Sequence, residues 1–179
     1  MHLEGIHHIT MITGDAPGNV DFYTRVLGLR MVAKTVNQDD PTVYHLFYAD
    51  EQGNPGADIT FFEFRGAPRG RAGAGMLHRI VWRVGSPDAL DFWAERLADA
   101  GYESERDGDS LRFADPEGLG HELAVDAGAE LHSAEHPQIP AEHALGGLIG
   151  VRAYSFDEDG SRRVLEDVLG ATSVAPSTW

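Results

Sequence analysis

The sequence predicts an α+β fold of tandem strand–helix–strand–strand–strand (βαβββ) units, two of them complete and a third partial, forming a curved sheet. Three observations carry this. Short β-rich runs bounded by Gly, Pro, Asn and Asp alternate with single amphipathic helical stretches. The same order returns at a constant offset of 70 residues, laying His8 on His78, Asp21 on Asp91, Phe22 on Phe92 and Tyr23 on Trp93. A fainter echo at an offset of 142 sets Asp167-Val168-Leu169-Gly170 on Arg25-Val26-Leu27-Gly28. The implied organisation is a first unit over residues 1–65, a linker at 66–75, a second unit at 76–126, a linker at 127–145 and a truncated third unit at 146–179.

Each element has a local reason. Gly5 to Thr13 is strand-like, and Asp15 with Pro17-Gly18 marks a helix start. Val20, Phe22, Tyr23, Val26 and Leu27 recur at helical spacing, with Gly28 as C-cap. Leu29 to Val36 and Val43 to Ala49 are strands about the Asn37–Pro41 turn, and Ile59 to Phe64 follows the Asp50–Gly56 turn. The glycine-rich stretch 66–75 has no Gly-Lys-Ser/Thr ending and no following helix, so it reads as a linker rather than a phosphate loop. In the second unit Met76 to Val84 is a strand, and Ser86-Pro87-Asp88 opens a helix whose apolar face is Leu90, Phe92, Trp93 and Leu97. Gly101 closes that helix; Tyr102 to Arg106, Ser110 to Phe113 and Gly120 to Val125 are strands. Residues 127–145 read as a polar connector, and the His132/His136 spacing inside it lacks a helical pattern to make it a metal pair. Gly147 to Ser155, Glu158 to Leu169 and Ala171 to Ala175 read as strand, helix and strand.

Composition narrows the function classes. A chain of 179 residues with 42% hydrophobic content can bury a real core. It lacks a run of about 18 apolar residues and a signal-like N-terminus, so it is read as cytoplasmic with no membrane partner. The absence of cysteine excludes disulfides, thiolate metal sites and cysteine nucleophiles. Asp plus Glu number 29 against 14 Lys plus Arg, and the formal charge of -15 argues against nucleic acid as a partner. With Lys34 the only lysine, this surface reads as one adapted to high salt.

The candidate site begins at His7-His8. Strand alternation places His8 and Thr10 on one face and His7 and Ile9 on the other. An imidazole fixed on a strand can bind a transition metal, or can be a half-buried histidine bonded to a neighbour. Its repeat partner His78 favours the metal, whereas the third unit carries Gly150 at that place. Glu63 and Glu122 lie on the last strands of the two units, and a carboxylate flanked by apolar residues there needs a charged partner or a metal. His8 and His78 with Glu122, or with Glu63 as well, would supply a 2-His-1-carboxylate set with open positions.

Paired βαβββ units with these residues resemble the vicinal-oxygen-chelate superfamily of glyoxalases, bleomycin-resistance proteins and extradiol dioxygenases. Leu3-Glu4-Gly5-Ile6-His7-His8-Ile9-Thr10, Asp21-Phe22-Tyr23, Val26-Leu27-Gly28-Leu29 and Lys34-Thr35-Val36-Asn37 are similar to hydroquinone-type ring-cleaving dioxygenases, as are Tyr44–Tyr48, the Asp50–Gly56 turn and Thr60-Phe61-Phe62. The resemblance implies a glyoxalase-like sheet and an Fe(II) or Mn(II) enzyme acting on a small dihydroxylated aromatic and O2. It implies His8 as a metal ligand, His7 as a proton-handling neighbour and Thr10 as a residue near the substrate. In such enzymes the other ligands come from a fourth unit, which this chain does not have. The wider superfamily plan would use His78 and Glu122, within one chain or across a dimer, and open sheet edges also point to a homodimer. Two alternatives stay open: a metal-free binding protein of the bleomycin-resistance kind, and a glyoxalase-type isomerase or lyase using Zn(II) or Ni(II) with Glu63 as fourth ligand.

Overall fold

The computed structural model describes residues 5–128 and 131–179; Leu3 and Glu4 of the first motif, and residues 129–130 of the second linker, lie outside the described residues. The first run is β1 (His8–Thr13), α1 (Ala16–Val20) continued by π-helical Asp21–Val26, β2 (Arg30–Val36), β3 (Tyr44–Ala49) and β4 (Asp58–Glu63). The second is β5 (Leu77–Val84), α2 (Pro87–Asp99), β6 (Ser104–Asp107), β7 (Ser110–Ala114) and β8 (Gly120–Val125). Then come β9 (Leu148–Ala153) and α3 (Glu158–Arg163) with its π-helical extension Val164–Val168. This is a mixed α+β, glyoxalase-like architecture. Among the described residues no helix is long and apolar enough to cross a membrane.

The strands form two sheets, β1-β4-β3-β2 and β6-β7-β8-β5-β9. In both, the first strand of a run lies parallel to its last, β1 beside β4 and β5 beside β8. They differ at the other side of that first strand. β1 is a sheet edge, whereas β5 pairs antiparallel with β9.

One core joins the runs. Ile9, Leu46, Tyr48, Ile59 and Phe61 from the first sheet meet Phe22, Tyr23 and Val26; Ile80, Trp82, Val84 and Leu123 from the second meet Leu90, Trp93 and Leu97 of α2. Burying such side chains contributes about 1.5–3 kcal/mol each. Inside the core lies a polar chain with one consistent proton arrangement. The Trp82 indole N–H donates to His121 Nδ1 (3.0 Å), so the His121 proton sits on Nε2, 3.1 Å from the Tyr23 oxygen, and Tyr23 donates to Asp115 Oδ2 (3.0 Å). It ties the first helical segment to β5, β8 and the turn before β8.

Two expectations change. The stretch 171–175 is not a strand: Ala175 makes an isolated bridge to Thr178, because no neighbouring strand takes up its hydrogen bonds. The 127–145 linker is more than polar. Ile139, Ala144 and Leu145 are buried in the core, and the Trp93 indole donates to the His143 carbonyl (2.7 Å). Gly28, at φ 72°, makes room for this: a Cβ there would stand 2.3 Å from Ile139 Cδ1.

Candidate metal centre

Each sheet has a buried face toward the helices and an open face away from them. On β1 the buried side is Ile9 and Thr13, so His8, Thr10 and Ile12 face outward, and all three are exposed. Cross-strand pairs share a face. His8 pairs with Asp58, Thr10 with Thr60 and Ile12 with Phe62, and Phe62 and Thr60 pair in turn with His45 and Phe47 of β3. The open face of the first sheet therefore carries two histidines, a carboxylate and an aromatic floor, with the His45 ring centroid 3.9 Å from both Phe47 and Phe62.

His7 was expected on the far side of the strand, but β1 begins only at His8. Free of strand alternation, its ring swings round until Nδ1 is 3.0 Å from Nδ1 of His8. One ring must donate and the other accept. If His8 uses Nε2 for a metal, its Nδ1–H donates to His7, whose own proton then sits on Nε2. Thr10 accepts a hydrogen bond from Thr60 Oγ1 (3.0 Å), which leaves the Thr10 proton free to donate outward.

Asp58 and His45 were not among the sequence candidates. Asp58 opens β4 one residue before Ile59, where the sequence pattern starts the strand, and strand parity counted back from Phe62 places it on the His8 face. Among the described residues neither buried Asp58 Oδ1 nor buried His45 Nε2 has a hydrogen-bond partner. Burial raises the Asp58 carboxyl above the usual range, opposed by the nearby charges of His8, His7 and His45. Burial likewise lowers His45, opposed by Asp58.

The other proposed ligands stand elsewhere. Glu63 pairs with Thr13, on the helix-facing side of β4 and five residues beyond the partner of His8, about 16 Å along the strand. It accepts the Ala16 N–H (3.1 Å) at the start of α1 and lies 3.4 Å from Arg65 Nε. On β5 the core side chains are Ile80, Trp82 and Val84, so by alternation His78 lies on their side and Arg79 on the other. The His78 ring is stacked on Tyr154 (centroids 4.0 Å, 14° between planes), and burial followed by Arg79 and Arg152 lowers its pKa. Glu122 pairs with Val81 and so lies on the face opposite His78. Arg152 grips it from Nε (2.8 Å) and Nη2 (2.6 Å), and Arg79 Nη1 adds a third bond (3.1 Å). The Arg152 hydrogen bonds hold this buried carboxyl below its usual range, and one so neutralised has little left to offer a cation.

These positions correct the set His8, His78, Glu122 and Glu63, which this chain does not bring together. Among the described residues no three His, Asp or Glu side chains gather as a metal group. The cause is a slip of one residue. The helix N-caps Asp15 and Ser86 stand 71 apart, so the strand offset is 71, and the counterpart of His8 is Arg79. A single-residue shift along a strand exchanges its faces. The chain's own donors near His8 are imidazole nitrogen and carboxylate oxygen, a set suited to Fe(II) or Mn(II), and the orphaned Asp58 oxygen fits a cation beside it.

A family model described as "Glyoxalase/Bleomycin resistance protein/Dioxygenase superfamily" matches residues 5–123. The Bacillus subtilis (strain 168) protein named "Putative ring-cleaving dioxygenase MhqE" is 38% identical over 179 residues, which cover 98% of this chain and 59% of that relative. Chlorohydroquinone/hydroquinone 1,2-dioxygenase of Sphingobium indicum is 36% identical over 155 residues, 82% of this chain and 48% of the relative. A crystal structure from B. subtilis superposes with a TM-score of 0.90 at 37% identity, covering 97% of this chain and 57% of the other. The fosfomycin resistance protein FosX of Listeria monocytogenes, solved with Mn(II), shares the fold at a TM-score of 0.53 and 20% identity, covering 69% and 93% of the two chains. The chain spans about half the length of the curated relatives it matches. On the family match and these identities, it belongs to the glyoxalase/bleomycin resistance protein/dioxygenase superfamily.

Proposed function

We propose that the open face of the first sheet contributes to the active site of a ring-cleaving dioxygenase for dihydroxylated aromatics, with Fe(II) or Mn(II) held at His8. The observation that carries this is the setting of His8, an exposed imidazole on an edge strand beside a half-buried carboxylate whose Oδ1 has no hydrogen-bond partner among the described residues. The 38% identity to a relative named for this chemistry supports it. When bound, the ion supplies Lewis acidity that lowers the pKa of a ring hydroxyl and a template that brings ring and O2 together.

The chain's own residues do the rest. Asp58, the cross-strand partner of His8, supplies negative charge beside the bound cation and a carboxylate oxygen free to approach it. His7 accepts the His8 Nδ1–H, which leaves His8 Nε2 for the metal, and it takes up the proton released by the ring hydroxyl at Nδ1 when that hydrogen bond opens. Thr10 donates to a substrate oxygen, its own acceptor side being engaged by Thr60. Phe62 and the His45 ring offer flat apolar surface against which an aromatic substrate stacks.

Completion of the coordination set requires donors from outside these strands. β5 shows how one βαβββ run receives another, by antiparallel pairing of first strands with β9. The free edge of β1 offers the same pairing to the first strand of a further unit, from a second copy of this chain or a longer protein. Oxygen uptake by anaerobically Fe(II)-loaded protein, with hydroquinone and catechol as substrates, tests the function. Uptake stoichiometric with ring-opened product is expected. No uptake, or uptake without ring opening, would overturn it.

A further inference from the structure

We propose that the exposed side of α3 and its π-helical extension is an interface between two copies of this chain, whose helices pair antiparallel. The segment is finished like one that is to be buried. Its last turn repeats that of the first helical segment bond for bond. The Leu169 N–H donates to the Val164 carbonyl (3.0 Å) as Leu27 does to Phe22 (2.9 Å), and Ala171 donates to Leu165 (2.8 Å) as Leu29 does to Tyr23 (2.9 Å). Gly170 and Gly28 then stand at the same φ of 72°. By the offset of 142, Val164, Leu165 and Val168 hold the places of Phe22, Tyr23 and Val26, which are 0–1% exposed. Yet Val164 is 52% exposed and Val168 73%, and the helix buries no residue at all.

A helix over 158–168 is shorter than the roughly 12–15 residues that hold a helix in water alone, so it needs a surface to lie on. Its own chain supplies little. Ser177 Oγ donates to Glu158 (2.8 Å) and the Trp179 indole to Glu166 (2.7 Å), tying the C-terminal residues along one side. Phe156, just before the N-cap Asp157, is 91% exposed, and the helix position to which it would staple holds Ser161. Charge identifies the occupant. Val164 and Val168 lie one turn apart on one side, and Arg163 and Asp167 form the ridge beside them. Arg162 takes Asp159 (2.7 Å), whereas Arg163 reaches only the Asp159 carbonyl (3.4 Å), and among the described residues Asp167 has no partner. Turned antiparallel about a two-fold axis, a second copy sets its Asp167 beside Arg163 and its Arg163 beside Asp167, with the valines in contact between them. A parallel copy would set like charges together. Repulsion between two chains of formal charge -15 opposes this contact at low salt and is screened at high salt.

Sedimentation velocity of the whole chain tests this, in about 0.5 M sodium chloride, where a Debye length of about 4 Å screens the overall repulsion but not a contact pair. A dimer with a roughly micromolar dissociation constant is expected. Val168→Asp is expected to weaken it more than about tenfold, because the dimer would bury an unpaired carboxylate. Arg163→Asp and Asp167→Arg are each expected to weaken it about tenfold, and an equal mixture of the two to recover it, since opposite charges then meet across the axis. If Val168→Asp does not fold, the two charge variants and their mixture still decide. A monomer at all concentrations, as follows if this face takes a segment of a longer protein, would overturn the proposal. So would a dimer that folded Val168→Asp leaves intact, or a mixture no stronger than either charge variant alone.

Discussion

Acidification should destabilise the protein through His121. This imidazole is fully buried between Trp82, Phe113 and Tyr23, and burial pushes its pKa from the ordinary 6.5 down to about 3. Below pH 6.5 the unfolded chain takes up a proton at this residue that the folded chain refuses. The stability linked to His121 is therefore complete above pH 6.5, falls as pH drops, and is exhausted below about pH 3. The slope is about 1.4 kcal/mol per pH unit, so moving from pH 7.5 to 4.5 removes roughly 2.5–3 kcal/mol. Asp115 works the other way, because burial raises its carboxyl pKa and its protonation favours the folded state in acid. A comparison with His121→Gln isolates the histidine, since an amide can accept from Trp82 and donate to Tyr23 without titrating. Urea unfolding at both pH values should show the gap between wild type and variant shrinking by that amount. Because the cause is desolvation, high salt should leave the slope almost unchanged. An unchanged gap, or a His121 ring that titrates by NMR near its ordinary value, would refute this reasoning.

Other perturbations follow from the same contacts. Tyr23→Phe strands the His121 Nε2–H and Asp115 Oδ2, while Asp115 Oδ1 keeps the Glu117 and Leu119 N–H bonds, and should lower unfolding free energy by about 1–3 kcal/mol without altering the strands seen by circular dichroism. Gly28→Ala places a methyl against Ile139 Cδ1 at positive φ; thermal denaturation should show a loss of roughly 1–3 kcal/mol, part of it recovered when Ile139→Val removes that atom. Asp58→Asn should weaken Mn(II) binding about 10–100-fold by electron paramagnetic resonance. Glu63→Gln should leave Mn(II) binding unchanged, because that carboxylate serves the start of α1 on the far side of the sheet.

The fold was legible because period-2 strands, helix starts and turn residues recur with the repeat, and a repeated pattern tolerates small errors of register. The site does not tolerate them. Matching His8 to His78 came from helix positions such as Phe22 and Phe92, whereas the strands and helix caps run at 71. The π-helical turns over Asp21–Val26 add a residue's worth of local irregularity that no periodicity test detects. Glu63 and Glu122 were recognised as buried carboxylates, but what satisfies them is distant in sequence: the Ala16 backbone for one, Arg152 from the third unit for the other. His121 was passed over beside Glu122 although it is the fully buried member of that pair and Glu122 is gripped by arginines. Asp58 was readable from alternation alone once Ile59 and Phe61 were placed in the core.

In the proposed site a metal binds this chain on the open face of the first sheet, at His8, and not at the His78–Glu122 strands. Mn(II) titrated into protein carrying 15N-labelled histidine, followed through the ring 1H–15N correlations, tests it directly. Paramagnetic broadening should strike His8 and His7 first and His45 next, while His78 and His121 keep sharp signals. Broadening centred on His78, or spread evenly over every exposed histidine, would contradict the claim.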